Sequence, residues 1–188
     1  MEITANELKN GMFIEYDSQI WQVMKSEHNY RGRGAAFVGA KLKNVKTGRQ
    51  LESSMRSNER LKEIAVEAVR CQYLYQDGES AFVMDSQTFE QYTLPISVIG
   101  NMVDFFKEGD EVMVLMSEDE ALAIRPPQTV RLKVIETEAA VKGDTATKAT
   151  KPATLESGVI VPVPLFVKVG DLLLINPEKY EYIERVSQ

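Results

Sequence analysis

Short apolar runs separated by turn residues recur along almost the whole chain of 188 residues. Most of these runs are shorter than about ten residues, which is the usual length of a β-strand rather than of a helix. Lys-Thr-Gly at 46–48 and Asp-Gly at 77–78 separate such runs as hairpin turns do. Only residues 95–106 place apolar side chains at a spacing close to a helical stripe. The pattern predicts an all-β protein with one short helix.

The predicted strands fall into three groups, which indicate three small β-barrel domains. Residues 1–64 contain four or five short strands, as in an SH3-like or KOW-like barrel. Residues 65–128 give three strands, a helix that caps the barrel and two more strands, an order compatible with a five-stranded OB-fold. Residues 129–188 fit a second OB-fold.

The most distinctive local sequence is the tip, residues 29–36, which reads Asn-Tyr-Arg-Gly-Arg-Gly-Ala-Ala. Predicted strands precede it at residues 20–28 and follow it at residues 37–44, an arrangement that indicates a hairpin. A strand of about nine residues, rising about 3.3 Å per residue, would carry the tip about 30 Å from the strand's far end. Such a tip could enter a narrow site while its domain stays outside.

Two glycines and two arginines decide the chemistry of the tip. Gly32 and Gly34 tolerate positive φ, so the turn would hold the side chains of Arg31 and Arg33 clear of the strands. Arginine stays protonated near neutral pH, and Arg33 is therefore expected to neutralise and position phosphate-rich RNA rather than transfer protons. An exposed basic turn without a function is the alternative.

Charge is distributed unevenly between the three predicted domains. Residues 1–64 hold eleven Lys or Arg against eight Asp or Glu, a balance of +3; residues 65–128 hold three against twelve, or −9; residues 129–188 hold eight against eight. The sum is the formal net charge of −6. Contacts with phosphate are therefore expected on particular faces, with the acidic middle segment turned elsewhere.

Several classes of protein lack the sequence features they need. No run of about 20 apolar residues and no basic-then-apolar N-terminus is present, so we expect a cytoplasmic protein without a membrane span. Cys71 is the one cysteine and is expected to face the core; His28 is the one histidine, which leaves almost no material for a zinc site. No nucleophile elbow, phosphate-binding glycine loop or paired ligand motif indicates an enzyme or a cofactor.

A polar loop is predicted within the third domain, at residues 142–151. Glycine near its start, several lysines and threonines and few apolar anchors are typical of an RNA-facing loop. A solvated linker is the alternative.

Residues 151–170 carry the strongest resemblance to a known family. Their sequence, Lys-Pro-Ala-Thr-Leu-Glu-Ser-Gly-Val-Ile-Val-Pro-Val-Pro-Leu-Phe-Val-Lys-Val-Gly, resembles the C-terminal signature of the bacterial elongation factor P family position for position. Residues 73–78, Tyr-Leu-Tyr-Gln-Asp-Gly, and 41–48, Lys-Leu-Lys-Asn-Val-Lys-Thr-Gly, resemble the family as well. The resemblance covers essentially the whole chain.

The resemblance implies a monomeric, L-shaped arrangement of the three barrels, similar in outline and charge to transfer RNA. Members of the family bind the ribosome between its P and E sites. There they steady the CCA end of peptidyl-tRNA and relieve stalling at consecutive prolines. The residues that this implies for contact with tRNA or the ribosome are Tyr30, Arg31, Gly32, Arg33, Gly34, Lys142, Gly143, Asp144, Thr145 and Lys151.

The tip departs from the pattern of many family members. Where they carry a lysine that is extended by β-lysylation, this chain has Arg33, which lacks the primary amine that such chemistry needs. A subset of the family has a rhamnosylated arginine instead, and Arg33 resembles that case, which would make a rhamnosyltransferase a partner. An elongation-factor-P-like paralogue with its own set of stalling motifs also presents an arginine followed by Gly-Ala-Ala. Both alternatives stay open.

Two function classes compete with a translation factor. An enzyme is disfavoured by the missing motifs. A general OB-fold binder of single-stranded RNA normally combines a cationic groove with aromatic platforms. The net charge of −9 on residues 65–128 does not favour such a groove.

Overall fold

The chain was analysed as a computed structural model that describes residues 1–29, 36–138 and 150–186. In these ranges it forms sixteen β-strands, one α-helix and two 3₁₀ turns. The strands pair in three antiparallel sheets, which confirms the prediction of an all-β protein with three β domains. No helix in these ranges has the length and apolar character needed to cross a membrane.

The first sheet has six strands in the order β1-β6-β2-β3-β4-β5. Along β4 (Phe37–Asn44), Val38, Ala40 and Leu42 enter the core, while Lys41 and Lys43 alternate with them on the other face. This period of two is what a sheet with one buried face requires. The strands are β1 (Glu2–Thr4), β2 (Phe13–Tyr16), β3 (Gln19–Asn29), β4 (Phe37–Asn44), β5 (Gln50–Arg56) and β6 (Arg60–Ile64).

The second sheet has five strands in the order β11-β10-β7-β8-β9. Its predicted hairpin turn is confirmed: Asp77 accepts hydrogen bonds from the backbone N–H groups of Glu79 (3.0 Å) and Ser80 (2.8 Å), and Gly78 has φ 95°. The strands are β7 (Glu67–Gln76), β8 (Ser80–Asp85), β9 (Gln91–Pro95), β10 (Glu111–Ser117) and β11 (Glu120–Arg125).

The helix predicted over residues 95–106 is interrupted. An α-helix, α1 (Ile96–Ile99), ends at Gly100, whose φ of 76° is left-handed and whose N–H donates to the carbonyl of Ile96. A separate 3₁₀ turn then covers Asn101–Phe105. A single helix is therefore wrong, because the glycine stops the first helical piece after one turn.

The third sheet has five strands in the order β14-β13-β12-β15-β16. Its core is made almost entirely of aliphatic side chains, with Leu132, Leu155 and Leu173 nearly or fully inaccessible. The strands are β12 (Val130–Thr137), β13 (Thr150–Leu155), β14 (Ile160–Pro164), β15 (Leu172–Asn176) and β16 (Glu181–Val186).

The chain folds into two compact units. One unit comprises residues 1–100 and 111–125 and thus contains both the first and the second sheet. The other comprises residues 101–110 and 126–188. Phe105 shows why the short segment 101–110 belongs there: its side chain is fully buried in the core of the third sheet. The domain boundaries predicted after residues 64 and 128 stay a prediction.

Cys71 offers a direct test of burial in the second sheet. Its side chain is inaccessible, as predicted, and burial raises the pKa of its thiol to about 11, with the Asp85 carboxylate acting in the same direction. Because only the thiolate reacts, we expect the native protein to react with a disulfide reagent at pH 8 at least about 100-fold more slowly than free cysteine. Absorbance of the released reagent measures the rate. Rapid labelling without urea would contradict the burial, and full labelling in urea is the control.

Candidate functional site

The strands that flank the tip form a regular antiparallel ladder. β3 and β4 pair from Trp21 opposite Asn44 to Asn29 opposite Phe37, so the ladder reaches the last described residues before the turn. The predicted hairpin strands are confirmed. The tip itself, with the predicted contacts Tyr30, Arg31, Gly32, Arg33 and Gly34, lies outside the described residues.

A third strand supports the hairpin. β4 also pairs with β5, from Lys43 opposite Gln50 to Phe37 opposite Arg56. Beyond that last pair, the N–H of Ser57 donates to the carbonyl of Ala36 over 2.9 Å. The arm, as we call the paired parts of β3, β4 and β5, is therefore three strands wide up to the base of the tip. Because a lone two-stranded ribbon is marginally stable in water, the third strand stiffens the arm.

Arg56 is a candidate contact that sequence reasoning missed. Its side chain is exposed at the end of β5, directly opposite Phe37, and so stands at the base of the tip. Its backbone N–H donates to the Glu59 carboxylate over 3.2 Å, which holds the strand end in place. In the sequence, Arg56 lies about twenty residues beyond the tip, and only the cross-strand register brings the two together.

The charged side chains around one surface depression on the arm sum to zero. A surface depression of about 380 Å³ is lined by Lys25, Glu27, Lys41 and Glu52, together with small residues of β4 and β5. Lys25 forms an ion pair with Glu27, which raises the pKa of the lysine and lowers that of the glutamate. The charges of these two lysines and two glutamates cancel, so the depression itself offers little net attraction for phosphate.

The other predicted contacts surround the β12–β13 connection. Lys142, Gly143, Asp144 and Thr145 lie outside the described residues. Lys151 lies in β13 and is only 7% exposed.

The Lys151 ammonium group has a partner inside the protein. It donates to the backbone carbonyl of Glu138 over 2.6 Å, and Thr137 donates to the carbonyl of Pro152 over 2.8 Å nearby. These bonds hold the two strand ends together at the base of the connection. A contact of Lys151 with RNA would require this amine to leave its carbonyl, and that contact stays a prediction.

Within the described ranges, no three histidine, cysteine or carboxylate side chains are grouped closely enough to hold a metal ion. At the end nearest the tip, the described part of the arm presents the exposed guanidinium of Arg56. A guanidinium can bind and orient phosphate or ribose oxygens.

Comparison with known families matches each of the three sheets. The Elongation factor P (EF-P) KOW-like domain matches residues 4–61, the Elongation factor P (EF-P) OB domain matches residues 66–124, and Elongation factor P, C-terminal, matches residues 130–185. The family resemblance drawn from residues 151–170 is thereby confirmed.

Individual proteins give the same result. The chain is 44% identical to Elongation factor P of Caldicellulosiruptor saccharolyticus and 43% identical to that of Ruminiclostridium cellulolyticum, in each case over 98% of this chain and the full length of the relative. A solved structure of Eukaryotic translation initiation factor 5A from Methanococcus jannaschii shares the fold, with a TM-score of 0.50 and 17% identity over 64% of this chain and 89% of that one. The chain therefore belongs to the elongation factor P family of translation factors.

Proposed function

We propose that this protein binds the ribosome between the P and E sites and accelerates peptide-bond formation at consecutive prolines. The observation that carries the proposal is the three-stranded arm, which ends at a tip with two arginines in a chain of this family. The arm would bring Arg33 to the CCA end of peptidyl-tRNA. The acidic second domain would face away from RNA, and the connection around residues 142–151 would lie against RNA near the E-site codon.

The mechanism we propose is positional. Proline is a poor reactant when the two reacting groups are misaligned. Holding the acceptor end of the tRNA in a near-attack geometry lowers the entropic part of the barrier. Each tenfold gain in rate corresponds to about 1.4 kcal/mol. A small number of charge-assisted hydrogen bonds from Arg31 and Arg33 to phosphate or ribose would supply that amount. No proton transfer by the protein is involved.

The direct test uses ribosomes translating a run of three prolines in a purified system. Addition of the protein is expected to raise the rate of the stalled step at least about tenfold, and to leave unchanged a matched message in which alanines replace the prolines. The rate is read from dipeptide and tripeptide formation after rapid quenching. Binding to these ribosomes without any acceleration would refute the proposal.

A general binder of single-stranded RNA is the competing function. It predicts tight, salt-sensitive binding to free RNA of arbitrary sequence. A positional factor predicts much weaker binding to free RNA than to ribosomes that carry peptidyl-tRNA. Fluorescence titration of both targets at the same salt concentration separates the two functions.

The same proposal covers the localisation, the oligomeric state and the modification of the protein. The protein would act in the cytoplasm as a monomer, and Arg33 would receive a rhamnosyl group from a dedicated transferase. The intact mass of protein purified from its native host is expected to exceed the sequence mass by one deoxyhexose, carried on the peptide that contains residue 33. An unmodified Arg33 would favour the paralogue, and the dependence of different stalling motifs on the protein would then identify its role.

A further inference from the structure

We propose that the joint between the first and second sheets aims the arm, and that Lys43 and Gly48 are positioning residues for the reaction. By the joint we mean Lys43 and Gly48 of the first sheet, Ser97 and Val98 of α1, and the apolar cluster beside them. The inference rests on the proposed function, because aiming matters only if the tip acts at a reacting centre.

The apolar cluster is shared by both sheets. Phe13 and Val45 come from the first sheet and its turn, and Leu115, Leu122 and Ala123 come from the second; all five are buried. Phe13 and Leu122 are each only 1% exposed. A close-packed core of this kind transmits displacement instead of absorbing it. Both sheets belong to one compact unit, and a shift at the joint is expected to reach both.

Gly48 makes the closest backbone approach in the joint. It lies in the turn between β4 and β5 with φ +69°, a conformation that side chains other than glycine adopt with strain. A Cβ atom at this position would lie 2.2 Å from the carbonyl oxygen and 2.6 Å from the carbonyl carbon of Ser97. Both atoms belong to the backbone of α1, so an added methyl group would push the turn and the helix apart.

Lys43, in β4, connects the first sheet to α1 with a hydrogen bond. Its ammonium group donates to the carbonyl of Val98, one of the C-terminal carbonyls of α1 that have no partner within the helix. Burial lowers the pKa of this lysine. An exposed ion pair, Lys46 to Glu120 at 3.2 Å, also links the turn after β4 to β11 of the second sheet. Because α1 is only four residues long, it offers few carbonyls that such a donor can reach.

The geometry of β4 links the joint to the tip. Lys43 is near one end of this strand, and Phe37, at the other end, is the last paired residue before the tip. Six residue steps at about 3.3 Å place Phe37, at the base of the tip, about 20 Å from Lys43. A rotation of about 5° at the joint would move a point at that distance by about 2 Å, and a misplacement of about 1 Å can slow a positioned reaction about 100-fold.

The first test compares two glycine substitutions. Gly48→Ala introduces both backbone strain and the collision with Ser97, whereas Gly11→Ala, also at positive φ (+88°) in the first sheet, adds a methyl group to open space. We expect Gly48→Ala to lower the maximal rate of the proline step at least about tenfold while ribosome affinity changes less than about twofold. Gly11→Ala should keep both parameters near those of the unmodified protein.

The second test removes the hydrogen bond and then restores it. Lys43→Met keeps the apolar stem and loses the donor, Lys43→Arg keeps a donor, and Lys41→Met changes an exposed lysine two residues away on the same strand. We expect the Met variant at 43 to lower the maximal rate and the Arg variant to recover most of it, with the Lys41 variant unaffected. This series keeps the proposal testable should Gly48→Ala fail to fold.

Distances between the sheets provide a readout that is independent of activity. Spin labels on cysteines placed at Glu52, in β5 of the first sheet, and at Gln87, in the turn after β8 of the second, should give a narrow distance distribution. This distribution should broaden in Gly48→Ala and not in Gly11→Ala. If the distance distribution broadens in Gly48→Ala and this variant retains the full rate, the inference is overturned. An unchanged distance distribution in Gly48→Ala would overturn it as well. If the unmodified protein itself fails to accelerate the proline step, the proposed function fails. That result differs from both outcomes that would overturn the inference about the joint.

Discussion

Replacement of Arg33 by alanine is expected to remove most of the acceleration at consecutive prolines, a loss of at least about tenfold in the rate of the stalled step. The reason is that the guanidinium supplies charge-assisted, geometrically fixed hydrogen bonds to the tRNA, and each tenfold needs only about 1.4 kcal/mol. Arg33→Lys should recover part of the rate, because an ammonium keeps the charge and loses the planar fork. Quenched peptide synthesis on a three-proline message measures the effect.

The control for Arg33 is Arg60, an arginine of the first sheet. Arg60→Ala removes an exposed guanidinium that pairs with Glu2 at 3.6 Å, in β6 rather than at the tip. Such a surface pair contributes little to stability, so this variant should fold and accelerate normally. Thermal unfolding of both variants should match the unmodified protein. Full acceleration by Arg33→Ala would show that the tip acts through something other than this guanidinium.

Replacement of Phe105 by alanine should produce the largest change in stability, about 3–5 kcal/mol. The ring is 0% exposed, packs among the aliphatic side chains of the third sheet and meets the ring of Tyr180 edge-on, with 4.7 Å between centroids. Its loss leaves a cavity that rigid strands fill only in part. The destabilisation should be confined to the unit that contains the third sheet.

Hydrogen exchange resolves where the Phe105 variant is weakened. Amides of β12 and β15 should exchange faster, while those of β7 and β8 should keep their protection, because the two sets lie in different compact units. Phe89→Ala is the matched control, since this phenylalanine is 69% exposed and should cost almost nothing. Equal loss of protection in β7 would show that residues 101–110 support the second sheet instead.

Much of the arm was predictable because its determinants are local. Apolar residues alternate along β4, turn residues interrupt the runs, and the predicted strands at 20–28 and 37–44 match the observed β3 and β4. The tip motif was likewise visible as glycines and arginines between two strands. Arg56 was not visible as its neighbour, because the pairing of β5 with β4 depends on register across the sheet and not on sequence distance.

The helical region shows where local patterns stop being sufficient. The apolar spacing over residues 95–106 suggested one helix on the second barrel, yet Gly100 ends that helix and Phe105 enters a different core. A sequence pattern marks a side chain as apolar without saying which of several apolar cores will receive it. Lys151 is a second case: its charge suggested a surface position, yet its side chain is only 7% exposed and its amine donates to the backbone carbonyl of Glu138.

The sequence alone determined most of the strands, their turns and the family, because these depend on residue order over short distances and on long runs of matching residues. Only the tertiary structure decided that Gly48 approaches the backbone of Ser97, that Lys43 caps α1, and that the first two sheets share one core. Those contacts join residues about fifty positions or more apart. Their existence depends on how the folded surfaces fit together, and no local pattern records that fit.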